Sequence, residues 1–202
     1  MTSFSAMELP DETVIASTMW ALIDRYVGKV GYRGAVKAEG LTLNPAVIDC
    51  SGWAAFLLTS AMIAINVTSE SEIFNTEQRA SICTWSDRMI GITEARTGFI
   101  LEGDKIASEK LPRFALIGLR QGGGAWANNH PRPRDITHVV QVVRRPQDGA
   151  PFVTESQGWA KPYGLRLLPL EEWLEVSGPW LKTGEAWAVD PFAPTHLVCG
   201  LA

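Results

Sequence analysis

The sequence predicts an α+β fold in which N-terminal helices pack on a mainly antiparallel β-sheet. Two observations support this fold class. Helical spacing and a long apolar run dominate the chain up to about Ile92, whereas short β-branched runs separated by turn residues dominate from Phe114 onwards. The 202 residues contain no internal repeat and no linker-like stretch. We therefore expect residues 1–202 to form a single domain around one hydrophobic core.

Three segments in the first half of the chain predict helices. Residues 11–27 carry apolar side chains at helical spacing between a capping aspartate and a glycine. Residues 28–47 hold four glycines and a proline, which is typical of a loop. Residues 54–65 are apolar on almost every face, so the helix that contains them, beginning near Cys50, is expected in the core. A third helix is predicted from Thr76 to about Ile92.

The second half of the chain predicts a meander of strands. The predicted strands cover residues 114–120, 137–143, 152–157, 163–168 and a last segment that begins at 186. Turn residues between Pro146 and Pro151 make residues 137–157 a hairpin. A loop rich in glycine and proline precedes the hairpin, and a short helix from Pro169 separates the last two strands.

Composition excludes several classes of protein. With 18 basic and 22 acidic residues and no basic helix, the chain is not expected to bind nucleic acid. The cysteines at 50, 83 and 199 and the histidines at 130, 138 and 196 lack metal-ligand spacing, so neither a metal nor another cofactor is expected. A disulfide between Cys83 and Cys199, with Cys50 free, remains open.

The N-terminal residues lack a positively charged segment followed by an apolar one, so we expect synthesis in the cytoplasm without a signal peptide. The apolar run at 53–65 is too short to cross a bilayer, and no membrane span is expected.

Cys50 is the most informative residue of the chain. It lies between Asp49 and Ser51 at the predicted start of a buried helix, where capping residues are favoured. Unpaired N–H groups and the helix dipole favour negative charge at that point, so the thiol loses its proton more easily. Cys50 is therefore a candidate nucleophile. The alternative is that Cys50 is a small buried hydrophobe, as many free cysteines are.

A cysteine nucleophile needs a base and a group that orients the base. His138 opens the first strand of the predicted hairpin, and Glu155 and Gln157 share one face of the second strand. We expect the hairpin to bring these polar groups together, and a Cys50 helix that packs across their face of the sheet could present its sulfur to His138. The alternatives are a hydrogen-bonded core histidine for His138 and a solvated strand face for Glu155 and Gln157.

These residues resemble the NlpC/P60 cysteine peptidases. The resemblance lies in Asp49-Cys50-Ser51-Gly52, in the stretch from Tyr26 to Arg33, and in a His-Val pair opening a strand at His138. The segment from Glu155 to Trp159 is similar to the related CHAP amidases. The match implies a papain-like fold and hydrolysis of peptide or amide bonds in the stem peptides of bacterial peptidoglycan.

The resemblance also implies roles for the residues. Cys50 would attack the carbonyl, His138 would transfer the proton, and Glu155, with Gln157 as the alternate, would hold the imidazole. The backbone N–H of Cys50 or Ser51 would stabilise the oxyanion. The chain departs from the family in lacking Gly-Asp-Leu before the histidine strand and in having Val140 after His-Val. The third catalytic residue and the bond cleaved therefore stay open.

Several biological settings fit this reading. An antibacterial effector carried by a contact-dependent, type VI-like secretion system would act in the periplasm or wall of a target bacterium, with an immunity protein or a carrier as partner. A phage lysis enzyme or a recycling enzyme would also fit. The alternatives are a thiol hydrolase or acyltransferase on a non-wall substrate, and a catalytically silent binding module on the same fold.

Overall fold

A computed structural model describes residues 11–80, 82, 85–120 and 134–194. Within these residues the fold is α+β with a mainly antiparallel sheet, as the sequence predicts. The described residues form five α-helices: α1 (Glu12–Tyr26), α2 (Cys50–Thr68), α3 (Thr76–Ala80), α4 (Ser86–Thr97) and α5 (Leu170–Lys182). Two 3-10 helices lie at Ala38–Thr42 and Gly103–Lys105.

The strands form one large sheet and one short parallel pair. The pair consists of β1 (Gly31–Tyr32) and β2 (Val47–Ile48). The large sheet has the order β3-β8-β4-β5-β6-β7, and every pairing in it is antiparallel. Its strands are β3 (Leu101–Glu102), β4 (Leu116–Leu119), β5 (His138–Arg144), β6 (Pro151–Gln157), β7 (Gly164–Pro169) and β8 (Ala186–Val189).

The helix predicted from Thr76 to about Ile92 is wrong in its extent, because two separate helices occupy this part of the chain. Trp85 has an extended backbone, with φ −114° and ψ 122°, and α4 begins only at the next residue. The helix then continues past Ile92 to Thr97. It stops at Gly98, which adopts the left-handed conformation that glycine tolerates without steric cost.

Helix α2 is longer than the apolar run that predicts it, at 19 residues. By length and hydropathy it could cross a membrane, but 61% of the apolar window is buried inside the fold, as in the core helix of a soluble protein. A single helix of this kind is weak support for a membrane span.

The sheet buries both of its faces, and alternation along the strands shows which side each helix covers. On β5, Val139 and Val143 belong to the core cluster that contains α1 and α2, whereas Val140 and Val142 belong to the cluster that contains Trp173 of α5. On β6, Thr154 accepts a hydrogen bond from the indole N–H of Trp53 in α2, at 3.0 Å. Helix α2 therefore covers one face of the sheet and α5 covers the other.

The prediction that the Cys50 helix packs across the face carrying His138 and Glu155 is wrong for the body of the helix, although the helix start does lie beside His138 as expected. His138 and Glu155 occupy the strand positions that alternate with those facing α2, because Thr154 and Ser156 are the β6 residues that contact this part of the chain. The side chain of Ser156 donates to the carbonyl of Ile48, just before α2, at 2.7 Å. Helix α2 is thus fixed to the opposite face, and only its first residue reaches the histidine.

Candidate active site

Cys50 is the first residue of α2 and is 7% exposed. Asp49 caps the helix, since its carboxylate accepts from the backbone N–H of Gly52 at 2.7 Å. Lys37, from the loop before β2, forms an ion pair with Asp49 and donates to the hydroxyl of Ser51 at 2.9 Å. The cap carboxylate is therefore neutralised by a lysine, and the thiol lies at a fixed helix start.

Cys50 meets His138 where β5 and β6 separate. The β5–β6 ladder runs from Arg144↔Pro151 to Gln141↔Thr154, so its register stops before His138 is reached. His138 and the backbone N–H of Val139 lie close enough to the Cys50 sulfur to lower the pKa of the thiol. The thiol thus reaches the histidine at the open end of the hairpin, which explains how groups from opposite faces of the sheet meet.

His138 is 1% exposed and makes its second side-chain contact with Glu155. Its Nε2 hydrogen-bonds the Oε2 atom of the Glu155 carboxylate. Nδ1 is therefore the ring nitrogen that remains for the thiol. The structure brings Cys50, His138 and Glu155 into one buried chain of contacts in the order nucleophile, base and orienter.

The charges of Cys50, His138 and Glu155 stabilise one another. Burial raises the pKa of the Cys50 thiol, but the charge and hydrogen bond of His138 and the Val139 N–H outweigh burial, so this pKa lies below its ordinary value. Burial lowers the pKa of His138, but the negative charges of Cys50 and Glu155 and hydrogen bonds to both raise it to about 9. Both shifts therefore favour a thiolate beside an imidazolium over a neutral thiol beside a neutral imidazole.

Glu155 has a second partner, Arg166, directly opposite it in the β6–β7 register. The Nε and Nη2 atoms of Arg166 lie 2.8 and 2.5 Å from Oε1 of Glu155. Burial raises the pKa of the Glu155 carboxyl, but His138 and Arg166 outweigh burial and lower it. The carboxylate is thus held on both oxygens, by the imidazole on one and by the guanidinium on the other.

Gln157 does not orient His138, although the sequence left it as the alternate to Glu155. Its amide nitrogen donates to the carbonyls of Ala160 and Pro162, at 2.5 and 2.9 Å. Its amide oxygen accepts from the N–H groups of Trp159 and Ala160, at 3.0 and 2.9 Å. These four bonds use both donors and both acceptor positions of the amide, so none remains for an imidazole. Gln157 instead holds the loop that follows β6.

The loop held by Gln157 carries Trp159, whose ring stands edge-on to the His138 imidazole with centroids 4.5 Å apart. The glycine before Trp159 packs against the ring of Tyr32, where an added Cβ would come within 2.4 Å of Cδ1. Burial, followed by the charges of Cys50 and Asp49, raises the pKa of Tyr32 to about 12. Tyr32 therefore keeps its hydroxyl proton beside the thiolate.

Ser86, the first residue of α4, is a further neighbour of the nucleophile. Its hydroxyl lies 3.9 Å from the Cys50 sulfur, and the residue is 4% exposed. The start of α4 therefore lies beside the nucleophile.

Some candidate residues lie outside the described part of the chain: Cys83, Cys199, His130 and His196. The proposed Cys83–Cys199 pairing stays a prediction. Among the described residues, no group of three or more metal-ligating side chains occurs.

Sequence reasoning missed Arg166, Trp159 and Ser86. A signal for Arg166 exists, because a hairpin joining the predicted strands at 152–157 and 163–168 places Glu155 opposite Arg166 as a pair of unlike charges. Trp159 ends the segment that is similar to the CHAP amidases, but no local pattern places its ring beside His138, and none marks Ser86. Each reaches the site through a loop or a helix start that only the folded chain places.

We compared the chain with protein-family models, with characterised proteins and with solved structures, and found no match in any of the three.

Proposed function

We propose that this protein is a cysteine hydrolase on a papain-like fold that cleaves an amide or peptide bond in peptidoglycan stem peptides. One observation carries the proposal: Cys50 at the start of a helix, His138 and Glu155 form a buried chain of contacts. A lowered thiol pKa beside a histidine is the usual signature of a nucleophilic cysteine.

The first half of the reaction forms an acyl-enzyme. The Cys50 thiolate attacks the carbonyl carbon of the scissile amide, and the carbonyl oxygen takes up the negative charge. The backbone N–H of Cys50, at the first position of α2, donates to that oxyanion. The His138 imidazolium then gives its proton to the departing amine, the C–N bond breaks, and a thioester remains on Cys50.

The second half of the reaction releases the product. Neutral His138 takes a proton from water, and the resulting hydroxide attacks the thioester carbon. The C–S bond breaks, the carboxylic acid leaves, and Cys50 returns as the thiolate beside the imidazolium. Glu155 stabilises the positive ring in both halves, since its Oε2 accepts from Nε2.

The choice of peptidoglycan as substrate is supported by the motifs. The tetrapeptide from Asp49 to Gly52 opens a buried helix, and a His-Val pair opens a strand of an antiparallel sheet. These are the features that carry the resemblance to NlpC/P60 peptidases and CHAP amidases. Glu155, rather than Gln157, supplies the third catalytic group.

A digest of purified peptidoglycan tests the proposal. Wild-type protein should release peptide fragments that chromatography and mass spectrometry assign to one bond type, and Cys50→Ala should release none. Hydrolysis of a thioester or isopeptide substrate without any action on peptidoglycan would favour a non-wall thiol hydrolase. Inactivity on every amide and ester substrate, together with tight binding of wall fragments, would favour a silent binding module.

The proposed place of action is the periplasm or cell wall, because that is where peptidoglycan lies. In a bacterium, the chain fused to a secretory signal should cause rounding or lysis, whereas the chain without that signal should be tolerated. Cys50→Ala with the signal serves as the matched control. Toxicity that persists in this variant would contradict a wall substrate.

A further inference from the structure

The Glu155 carboxylate is shared between His138 and Arg166, and Arg166 has no direct contact with the thiol in the proposed chemistry. Arg166 lies on β7, an edge strand of the sheet, and 21% of its side chain is exposed. Two of its nitrogens contact the same carboxylate oxygen, Oε1, which leaves Oε2 to the imidazole. The guanidinium therefore fixes which oxygen of Glu155 faces the histidine.

Contacts link Cys50 to His138, Glu155 and Arg166, and in the form that the pKa shifts of Cys50 and His138 favour, these groups alternate in charge: thiolate, imidazolium, carboxylate and guanidinium. Their sum is zero, which matters because the first three are buried and an uncompensated buried charge is costly. Without the guanidinium the sum is −1, and a proton from solvent would be taken up. It would go either to the thiolate, or to the carboxylate, which would then cease to stabilise the imidazolium.

The other charged or titratable groups near the thiol do not replace this guanidinium. Asp49 faces Cys50 from the start of α2 and is already paired with Lys37. Tyr32 approaches from β1 and keeps its proton. Among the described residues that act on the charge of Cys50, His138 is thus the source of positive charge, and its own ionisation depends on Glu155.

We propose that Arg166 is a positioning residue for the Cys50–His138 pair: its guanidinium keeps Glu155 ionised and in one orientation, so that the imidazolium and the thiolate coexist over a wide pH range. The role in catalysis rests on the proposed hydrolase function. The effect of Arg166 on the ionisation of Cys50 and His138 does not depend on that function, because this ionisation can be measured without any substrate.

The test uses the full-length protein and two substrate-free measurements. The rate of Cys50 alkylation by iodoacetamide, followed from pH 4 to pH 10 by peptide mass spectrometry, reports formation of the thiolate. NMR of ¹³C-labelled histidine, with His138→Ala to assign the signal, reports loss of the imidazolium proton. In Arg166→Met, either the thiolate should form at higher pH or the imidazolium should be lost at lower pH. The pH range between the two midpoints should narrow by about one unit. One unit is about a tenfold change in the ratio of the protonated to the deprotonated form at a given pH.

Three further variants separate this role from a merely structural one. Arg166→Lys brings the same charge and should return the midpoints toward the wild-type values. Arg145→Met is a matched control, since Arg145 pairs with Asp148 at the far end of the hairpin, and it should leave both midpoints unchanged. In a Glu155→Gln background, Arg166→Met should cause no additional shift, because no carboxylate remains to be neutralised.

Unchanged midpoints in a folded Arg166→Met variant would overturn the proposal. So would a shift that Arg166→Lys fails to reverse, or one that persists in full in the Glu155→Gln background. If Arg166→Met shifts the midpoints as expected but the wild-type protein does not cleave peptidoglycan, the positioning role stands and only the proposed substrate is contradicted.

Discussion

The two faces of the six-stranded sheet use their buried polar groups in different ways. On the face covered by α2, Trp53 donates to Thr154 and Ser156 donates to the carbonyl of Ile48, and both bonds fix the start of the helix to the sheet. On the strand positions of the other face, His138 and Glu155 are ionisable and hydrogen-bonded to each other, and each stabilises the charged form of its partner. The neutral set, Trp53, Thr154 and Ser156, holds the nucleophile in place. The charged set, Cys50, His138 and Glu155, determines the ionisation of the nucleophile.

The largest expected effect is the loss of hydrolysis when a member of the charged set is removed. Cys50→Ala and His138→Ala should each lower turnover by about a thousandfold or more, because the members of a catalytic unit fail together. Thermal unfolding should show that Cys50→Ala remains folded, and Cys83→Ala and Cys199→Ala should retain activity. Substantial turnover by Cys50→Ala would refute the mechanism.

The second effect compares Glu155 with Gln157, two buried polar residues on the same strand face. Glu155→Gln should lower kcat by about a hundredfold, because the imidazolium loses its charged partner. Gln157→Ala should act mainly through the loop that carries Trp159, with a smaller loss of kcat and a lower melting temperature. Kinetics of both variants would distinguish these outcomes, and a larger kcat loss for Gln157→Ala would reverse the assignment.

The third effect is a bell-shaped pH dependence of kcat/KM on a wall peptide. The reactive form needs a thiolate and an imidazolium at the same time. It forms as pH rises through the Cys50 pKa, which is lowered from its ordinary value, and it disappears as pH rises through the His138 pKa of about 9. Rates that continue to rise well above pH 9 would show that the imidazolium is not the proton donor.

The smallest effect on chemistry is expected from the neutral set. Ser156→Ala removes the 2.7 Å hydrogen bond to the buried carbonyl of Ile48, which keeps a 3.4 Å bond from the backbone N–H of Arg33, so the free energy of unfolding should fall by about 0.5–1.5 kcal/mol. Trp53→Phe should have a similar cost, since the Thr154 hydroxyl loses its donor. Denaturant titration measures both, while the pH profile of alkylation should stay unchanged. A shifted profile would show that the two sets are coupled.

The sequence predicted the elements more reliably than their contacts. The Cys50 helix and the hairpin from His138 to Gln157 follow from local patterns of hydrophobic spacing and turn residues, and the structure contains both. The face on which the helix packs was predicted wrongly. Alternation along a strand says which residues share a face but not which face a distant helix covers, and that choice is made by tertiary packing.

Discrimination between Glu155 and Gln157 was also beyond the sequence. Both residues lie on one side of β6. Their roles differ because the loop after β6 returns the carbonyls of Ala160 and Pro162 to Gln157, whereas an arginine on the next strand faces Glu155. The carbonyl partners of Gln157 lie only three and five residues further along the chain, but hydrophobic alternation along a strand does not say where the following loop returns. The pairing of Glu155 with Arg166 is the exception, since strand register alone implies it.

Because Cys50 and His138 meet only where α2 joins the open end of the hairpin, the reactivity of the Cys50 thiol reports on folding. The two residues are far apart in sequence, so their contact carries a large loop-closure cost and depends on both the helix and the sheet being in place. An unfolded chain has an ordinary thiol that is almost entirely protonated in mildly acidic solution. In pulse labelling at such a pH during refolding, the rate of Cys50 labelling should therefore rise when the helix and the sheet join.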